Sequence, residues 1–366
     1  MKQFYVLIAF LVVSIAFAQV VPPTELTSYY ANVDFNNTGL NLKNGTTSTN
    51  GLSYTTINKH SNFLSYSQVW DALKITDEDP NNGANVLLLY GWDDNGSITE
   101  HRSRSKNDNG GNVGDWNREH TYPQSLGTPA LGSSGPGSDA LMLRPSDVQR
   151  NGQRGNQIFA NKSTGQYPNG ESGNVTNGWY PGDEWKGDCA RIIMYMYLRY
   201  GNQCLPSNVG DGSNAGAGDD MMALFLQWNA EDPVVDGGFE DARNNYHDSN
   251  ATYAQGNRNP FIDNPYLATL IWGGPDAQNR WEDLSTDEFQ NNTIKLFPNP
   301  ISGNTLTIST QKPLEVEVYD ILGKRVLQTE VNATMNTMNV SQLRKGVYLI
   351  KLKSDEGIIT KKLIKQ

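Results

Sequence analysis

The run Ala84-Asn85-Val86-Leu87-Leu88-Leu89-Tyr90 is apolar, short and bounded by Asn-Gly on one side and Gly91 on the other, a pattern that predicts a buried strand. Ahead of it, Ser67 to Leu73 reads as a helix. The longest helical pattern covers 187–200. Ala190, Ile193, Met194, Tyr197 and Leu198 form one apolar face, and Asp188, Arg191, Tyr195 and Arg199 recur on another, with Gly201 as the stop. A further helix is expected from Met221 to Trp228. Between these elements the chain is polar. Residues 29–59 are rich in Asn, Thr and Gly, and Gly127 to Gly137 is a small-residue loop with no core-forming capacity.

The pattern changes near 284–293. Beyond it, short alternating strands are predicted at Thr305–Ser309, Leu314–Tyr319, Arg325–Thr329 and Gly346–Leu352, with a turn over Asp320 to Lys324. Short strands at regular spacing with Gly and Pro turns indicate a small all-β sandwich. This part has no His or Cys, so nothing in it looks catalytic. The front of the chain is different again. Lys2, the apolar run Phe4–Ile15 and Ala16-Phe17-Ala18 form a signal-peptide pattern with cleavage before Gln19. The apolar run is too short for the ~20 residues of a membrane anchor. The expected organisation is a signal peptide at 1–18, an α+β catalytic domain at 19–285, a linker at 286–293 and the sandwich at 294–366.

Composition narrows the function. The 366 residues carry 29 basic and 39 acidic side chains, and a formal charge of -10 speaks against a protein that coats nucleic acid. The balance is uneven: residues 101–156 hold 7 basic and 5 acidic groups, whereas residues 157–292 hold 7 and 19. A locally basic segment in an acidic body suits an anionic substrate. There are two cysteines. A helix after Cys189 rises ~1.5 Å per residue and carries the chain too far for Cys204 to return within disulfide reach, so two free thiols are expected, with Cys189 buried.

The chemistry concentrates in that basic segment. Asp115-Trp116-Asn117-Arg118-Glu119-His120-Thr121-Tyr122-Pro123-Gln124-Ser125 is followed by Leu143-Arg144-Pro145 and by Arg150-Asn151-Gly152-Gln153-Arg154-Gly155-Asn156. Phosphodiester hydrolysis needs what these residues offer. A His can take the proton from an attacking water near neutral pH. Glu119 and Asn151 bring the hard oxygens that Mg²⁺ prefers, and Arg144, Arg150 and Arg154 can fork onto phosphate. Taken singly, each has a plainer explanation: a hydrogen-bonded structural His, an Asn-Gly turn, a solvated Arg.

In this order the motifs resemble the bacterial endonuclease I family of extracellular nucleases, members of the ββα-metal (His-Me finger) group. The resemblance covers much of residues 29–265 and includes Gly187-Asp188-Cys189-Ala190-Arg191 and Gln255-Gly256-Asn257-Arg258-Asn259-Pro260-Phe261. It implies His120 as general base, Glu119 and Asn151 as ligands of one Mg²⁺ (Ca²⁺ or Mn²⁺ being alternatives), and Arg154 as a group that binds or polarises phosphate. Asn117, Arg144 and Arg191 are candidate substrate contacts, with Arg191 equally able to pair with Asp188 along its helix. Neighbouring side chains of a strand face opposite ways, so the backbone is expected to leave β geometry at Glu119-His120. Leu141 stands where many relatives have a His.

Phe297-Pro298-Asn299-Pro300, Val318-Tyr319-Asp320, Gly346-Val347-Tyr348 and Lys361-Lys362 resemble the C-terminal sorting domain read by the type IX secretion machinery. A carbohydrate-binding module would need an exposed aromatic platform, whereas Tyr319 and Tyr348 lie in strand patterns. No His-Glu-x-x-His, Cys-x-x-Cys, Gly-x-Ser-x-Gly or Walker loop occurs. His60, His101 and His247 lack motifs and read as surface or structural residues. The acidic clusters Asp77-Glu78-Asp79 and Asp219-Asp220 read as solvated surface in preference to Ca²⁺ sites. The expectation is a secreted, monomeric, Mg²⁺-dependent endonuclease indifferent to sequence, acting on DNA with RNA left open and having no membrane span. The alternative is a secreted adhesion or glycan-binding protein on a degenerate nuclease scaffold.

Overall fold

The computed structural model describes residues 20–215, 218–281, 294–310, 312–320, 324–354 and 357–366, with the backbone alone at 357–360. The signal-peptide segment, the 286–293 linker and the centre of the 320–324 turn lie outside the described residues. The chain divides into two compact units, Met1–Trp281 and Glu282–Gln366.

The first unit mixes helices and strands around one apolar core. Its elements in order are α1 (Gly39–Asn44), α2 (Leu52–Lys59), α3 (Val69–Thr76), β1 (Glu78–Asp79), β2 (Asn82–Leu87), β3 (Ser103–Ser105), β4 (Trp116–His120), β5 (Leu143–Asp147), α4 (Val148–Arg154), β6 (Gly173–Val175), β7 (Gly178–Tyr180), α5 (Lys186–Tyr200), α6 (Ala223–Glu231), α7 (Phe239–His247), α8 (Pro260–Asp263) and α9 (Tyr266–Trp272). The sequence places α3, α5 and α6 within a few residues. The segment predicted as one strand at 84–90 is strand through Leu87, after which Leu88–Tyr90 run on buried, with Leu89 making a single parallel bridge to Ser146.

Helix α5 differs from the two-faced helix that its pattern suggests. It is buried nearly all round, so its polar residues face other elements: Arg191 meets Glu240 of α7, and Tyr195 reaches Asp139. Cys189 and Cys204 are both free and buried. His60 and His247 are buried, as structural residues should be. The acidic clusters are solvated surface only in part, with Glu78 exposed. Asp77 has no exposure and pairs with Arg144 and Arg243, and Asp219 is held by Lys43 at 2.5 Å and by the Trp272 indole at 2.8 Å.

The second unit is all β. A four-stranded antiparallel sheet in the order β11 (Arg325–Val331), β10 (Leu314–Asp320), β13 (Gly346–Ser354), β14 (Gly357–Lys365) accompanies a three-stranded one in the order β12 (Thr337–Asn339), β9 (Thr305–Ser309), β8 (Lys295–Phe297). Alternate residues point inward, as Val316, Val318, Ile350 and Leu352 show, giving a separate core. Tyr348 belongs to that core, whereas Tyr319 is half-buried with its hydroxyl on Glu317. Among the described residues no helix is long and apolar enough to cross a membrane.

Candidate active site

Two antiparallel strands and the helix that follows them build the site. β4 and β5 pair from Trp116↔Asp147 to His120↔Leu143 without a break. Asp147 ends β5 and caps α4, its carboxylate accepting from the backbone N–H groups of Gln149 and Arg150, both at 2.9 Å. The helix stops at Gly155, whose φ of 55° is costly for any residue with a Cβ. Strand geometry persists through His120, so the expected departure from it does not occur. Asn117 and Glu119 face α4, Arg118 and His120 face the other way, and both sets reach a cleft at the strand end. That cleft has a volume of about 260 Å³, and its walls include Arg118, Glu119, His120, Asn151, Arg154 and Asn156.

His120 donates from Nε2 to the carbonyl oxygen of Gly137 at 2.9 Å. This bond fixes the tautomer and leaves Nδ1 as a lone pair. Burial holds the imidazole well below its ordinary range, at about 4, with Arg118 and Arg154 acting in the same direction against the Gly137 carbonyl. The ring is therefore neutral at pH 7, the form a base requires. It stacks on Tyr66, with centroids 5.5 Å apart.

Glu119 is 2% exposed and accepts a hydrogen bond from the Tyr90 hydroxyl at 2.9 Å, with Arg154 Nη1 at 3.4 Å from the same oxygen. Burial pushes its pKa up, opposed by Arg154 and Tyr90. Tyr90 sits at φ 77°, a left-handed conformation that a non-glycine residue adopts at a cost of ~1–3 kcal/mol. Surrounding bonds impose it: Leu89 N–H on the Pro145 carbonyl, Ser172 Oγ on the Tyr90 carbonyl and the Trp185 indole on the Gly91 carbonyl.

Asn151, on α4, donates from Nδ2 to Asn117 Oδ1 at 2.7 Å, so its own Oδ1 keeps no partner among the described residues. A buried carboxylate whose charge burial disfavours, beside an amide oxygen held without a partner, is a donor set that suits a hard divalent cation completed by water and phosphate. Among the described residues no three His, Cys, Asp or Glu side chains gather as a metal cluster, so those two side chains are what the protein would contribute.

The other predicted residues go elsewhere. Arg144 is 1% exposed and locked between Asp77 at 2.7 Å and Asp188 at 2.9 Å. Arg191 is buried, forked onto Glu240 and 3.3 Å from Asp188. Each is held by two carboxylates, and Arg191 makes the ion pair with Asp188 along its helix. Asn117 accepts the Asn151 amide through its Oδ1. Arg154 lines the cleft but is buried and committed to the carbonyls of His120, Thr121 and Gly155 as well as to Glu119. Leu141 is buried in the core. Sequence reading missed Tyr66, Tyr90 and the Gly137 carbonyl. Tyr90 ends an apolar run that reads as packing, Tyr66 stands between two serines with no motif around it, and the third is a backbone atom in a featureless loop.

Comparison with known proteins fits this arrangement. The family model described as Endonuclease I matches residues 46–266, and the model described as Secretion system C-terminal sorting domain matches 295–366. An extracellular ribonuclease of Bacillus subtilis is 44% identical over 219 residues, covering 57% of this chain and 69% of that protein. One from Bacillus amyloliquefaciens is 44% identical over 221 residues, 57% of this chain and 68% of that one. An endo-acting ulvan lyase of Formosa agariphila is 37% identical over 75 residues, 19% of this chain and 14% of its own. The site and these matches define an extracellular nuclease. The chain belongs to the Endonuclease I family and carries a type IX secretion sorting domain at its C-terminal end.

Proposed function

We propose that this nuclease hydrolyses the phosphodiester backbone of nucleic acids without reading base sequence, with His120 as general base and one Mg²⁺ held by Glu119 and Asn151 in a ββα-metal arrangement. The observation that carries this reading is the His120 Nε2 bond to the Gly137 carbonyl in the same cleft as Glu119 and Asn151. With Nε2 protonated, Nδ1 takes the proton of a water attacking phosphorus. Tyr90 and Arg154 hold the Glu119 carboxylate, and Asn117 holds the Asn151 amide. When bound, a divalent ion supplies charge neutralisation at the leaving oxygen.

DNA is the proposed substrate, and the relatives named as ribonucleases favour RNA as a second one. Indifference to sequence follows if contacts go to phosphates. Supercoiled plasmid and total RNA, each incubated with the protein in Mg²⁺ or in EDTA, test the reading. Loss of both substrates in Mg²⁺ alone is expected. Intact plasmid and intact RNA in Mg²⁺ at neutral pH would overturn it.

A further inference from the structure

Five arginines look alike in sequence: Arg150 stacks 4.2 Å from the Trp92 ring and gives its donors to Gln153 and the Ser172 carbonyl, off the walls of the cleft, and three others are spent. Arg144 and Arg191 are caged by carboxylates, and Arg154 is tied to three carbonyls and Glu119. Arg118 is different. Its side chain is half-buried, its guanidinium carbon lies 3.5 Å from the centroid of the Tyr66 ring and 4.2 Å from that of Trp70, and it lines the cleft. Among the described residues its one hydrogen-bond acceptor is the Tyr66 carbonyl, reached from Nη1, and no carboxylate pairs with it. Nε is buried without a partner. Two aromatic rings thus hold a cation in a fixed plane at the mouth of the site while leaving its donors largely uncommitted. Arg118 shares a face of β4 with His120, two residues or ~7 Å along the strand.

We propose that Arg118 grips a backbone phosphate next to the one that faces His120, and that Tyr66 and Trp70 preorganise it for that contact. The proposal rests on the nuclease reading and adds the residue that seats the strand. A planar guanidinium matches two phosphate oxygens, and orientation by stacking lowers the entropy lost on binding.

The test uses the full chain carrying His120→Ala, so that nothing is cut, and a fluorescein-labelled 16-base-pair DNA duplex as the probe, titrated at several salt concentrations. Adding Arg118→Met is expected to weaken binding roughly tenfold, the scale of one charged hydrogen bond. It should also make the slope of log K against log salt shallower by about 0.9, the signature of one lost phosphate contact. Arg118→Lys should keep the slope and lose part of the affinity. With His120 restored, Arg118→Met should raise KM about tenfold and leave kcat within about twofold. Unchanged affinity and slope would overturn the proposal, and so would equal losses in the Met and Lys variants at constant slope, since those mean lost packing alone. If the His120→Ala chain binds no duplex and the wild type leaves plasmid and RNA uncut, the nuclease reading fails and takes this proposal with it.

Discussion

His120 reaches across to the Gly137 carbonyl, 2.9 Å away, and thereby ties the proposed base to the loop that looks least informative in the sequence. Gly137 also lacks room. A Cβ there would lie 2.0 Å from the Gly132 carbonyl oxygen, which is backbone and cannot swing aside. Gly137→Ala should therefore displace the carbonyl, free the imidazole to adopt either tautomer, and lower kcat by at least ~10-fold. Steady-state kinetics on a labelled oligonucleotide read this. A fall in KM-governed binding without a fall in kcat would contradict the tautomer argument.

His120→Ala removes the base itself. Cleavage should drop by ~10²–10⁴-fold, the range of a general base, while thermal stability and Mg²⁺-dependent binding of nucleic acid largely persist. A variant that cuts at the wild-type rate would show that the base lies elsewhere.

Asn117→Ala leaves the cleft lining in place but lets the Asn151 amide turn. By analogy with outer groups that orient metal ligands, apparent affinity for Mg²⁺ should fall ~10–100-fold, recovered in rate at saturating ion. Titration of activity with MgCl₂ measures this. A raised KM for nucleic acid at saturating Mg²⁺ would instead restore Asn117 as a substrate contact.

Arg144 makes the contrast between packing and function measurable. Removing it takes one of two arginine partners from each of the buried carboxylates Asp77 and Asp188, leaving Arg243 and Arg191, so the cost should approach the ~3–5 kcal/mol of a broken buried pair. Arg144→Met should lower the urea midpoint strongly while the residual folded protein keeps its KM.

These residues show where sequence reading succeeds and where it stops. Asn117-Arg118-Glu119-His120 and Asn151 were legible because they sit close together along the chain, on a strand and on the helix that a partner strand leads into. The fate of each arginine was not. Arg144 is caged because Asp77, 67 residues earlier, arrives beside it, and Arg191 because Glu240, 49 residues later, does. Arg118 escapes that fate because aromatic rings, not carboxylates, pack on it. One letter carries both outcomes, and long-range packing decides between them. The left-handed Tyr90 is equally invisible, since its apolar neighbours spell a strand while hydrogen bonds from Ser172 and Trp185 to its own and Gly91's carbonyls hold a turn. The helices and the C-terminal strands, whose signal is local periodicity, were largely readable.

Buried His247 should make the catalytic unit lose stability in acid. It has no exposure, neither ring nitrogen has a partner, and burial, reinforced by Arg243 and His60 against Asp139, lowers its pKa to about 3. An unfolded His titrates near ~6.5, so between those values the unfolded chain binds a proton that the native chain refuses. Stability must fall as pH drops below ~6.5, by at most ~1.4 kcal/mol per unit from this group, and the loss ends near the folded value. Asp232, pushed up to about 7 by burial with Asp188 adding to it, works the other way: its native state takes up a proton first, so acidification relieves it. The two effects separate by difference. His247→Phe removes one and keeps the other, so the gap in unfolding free energy between variant and wild type should be constant above pH 7 and move in favour of the variant as pH falls to 5. Urea denaturation at four pH values gives that gap, and a gap independent of pH would show that His247 titrates alike in the folded and unfolded chains.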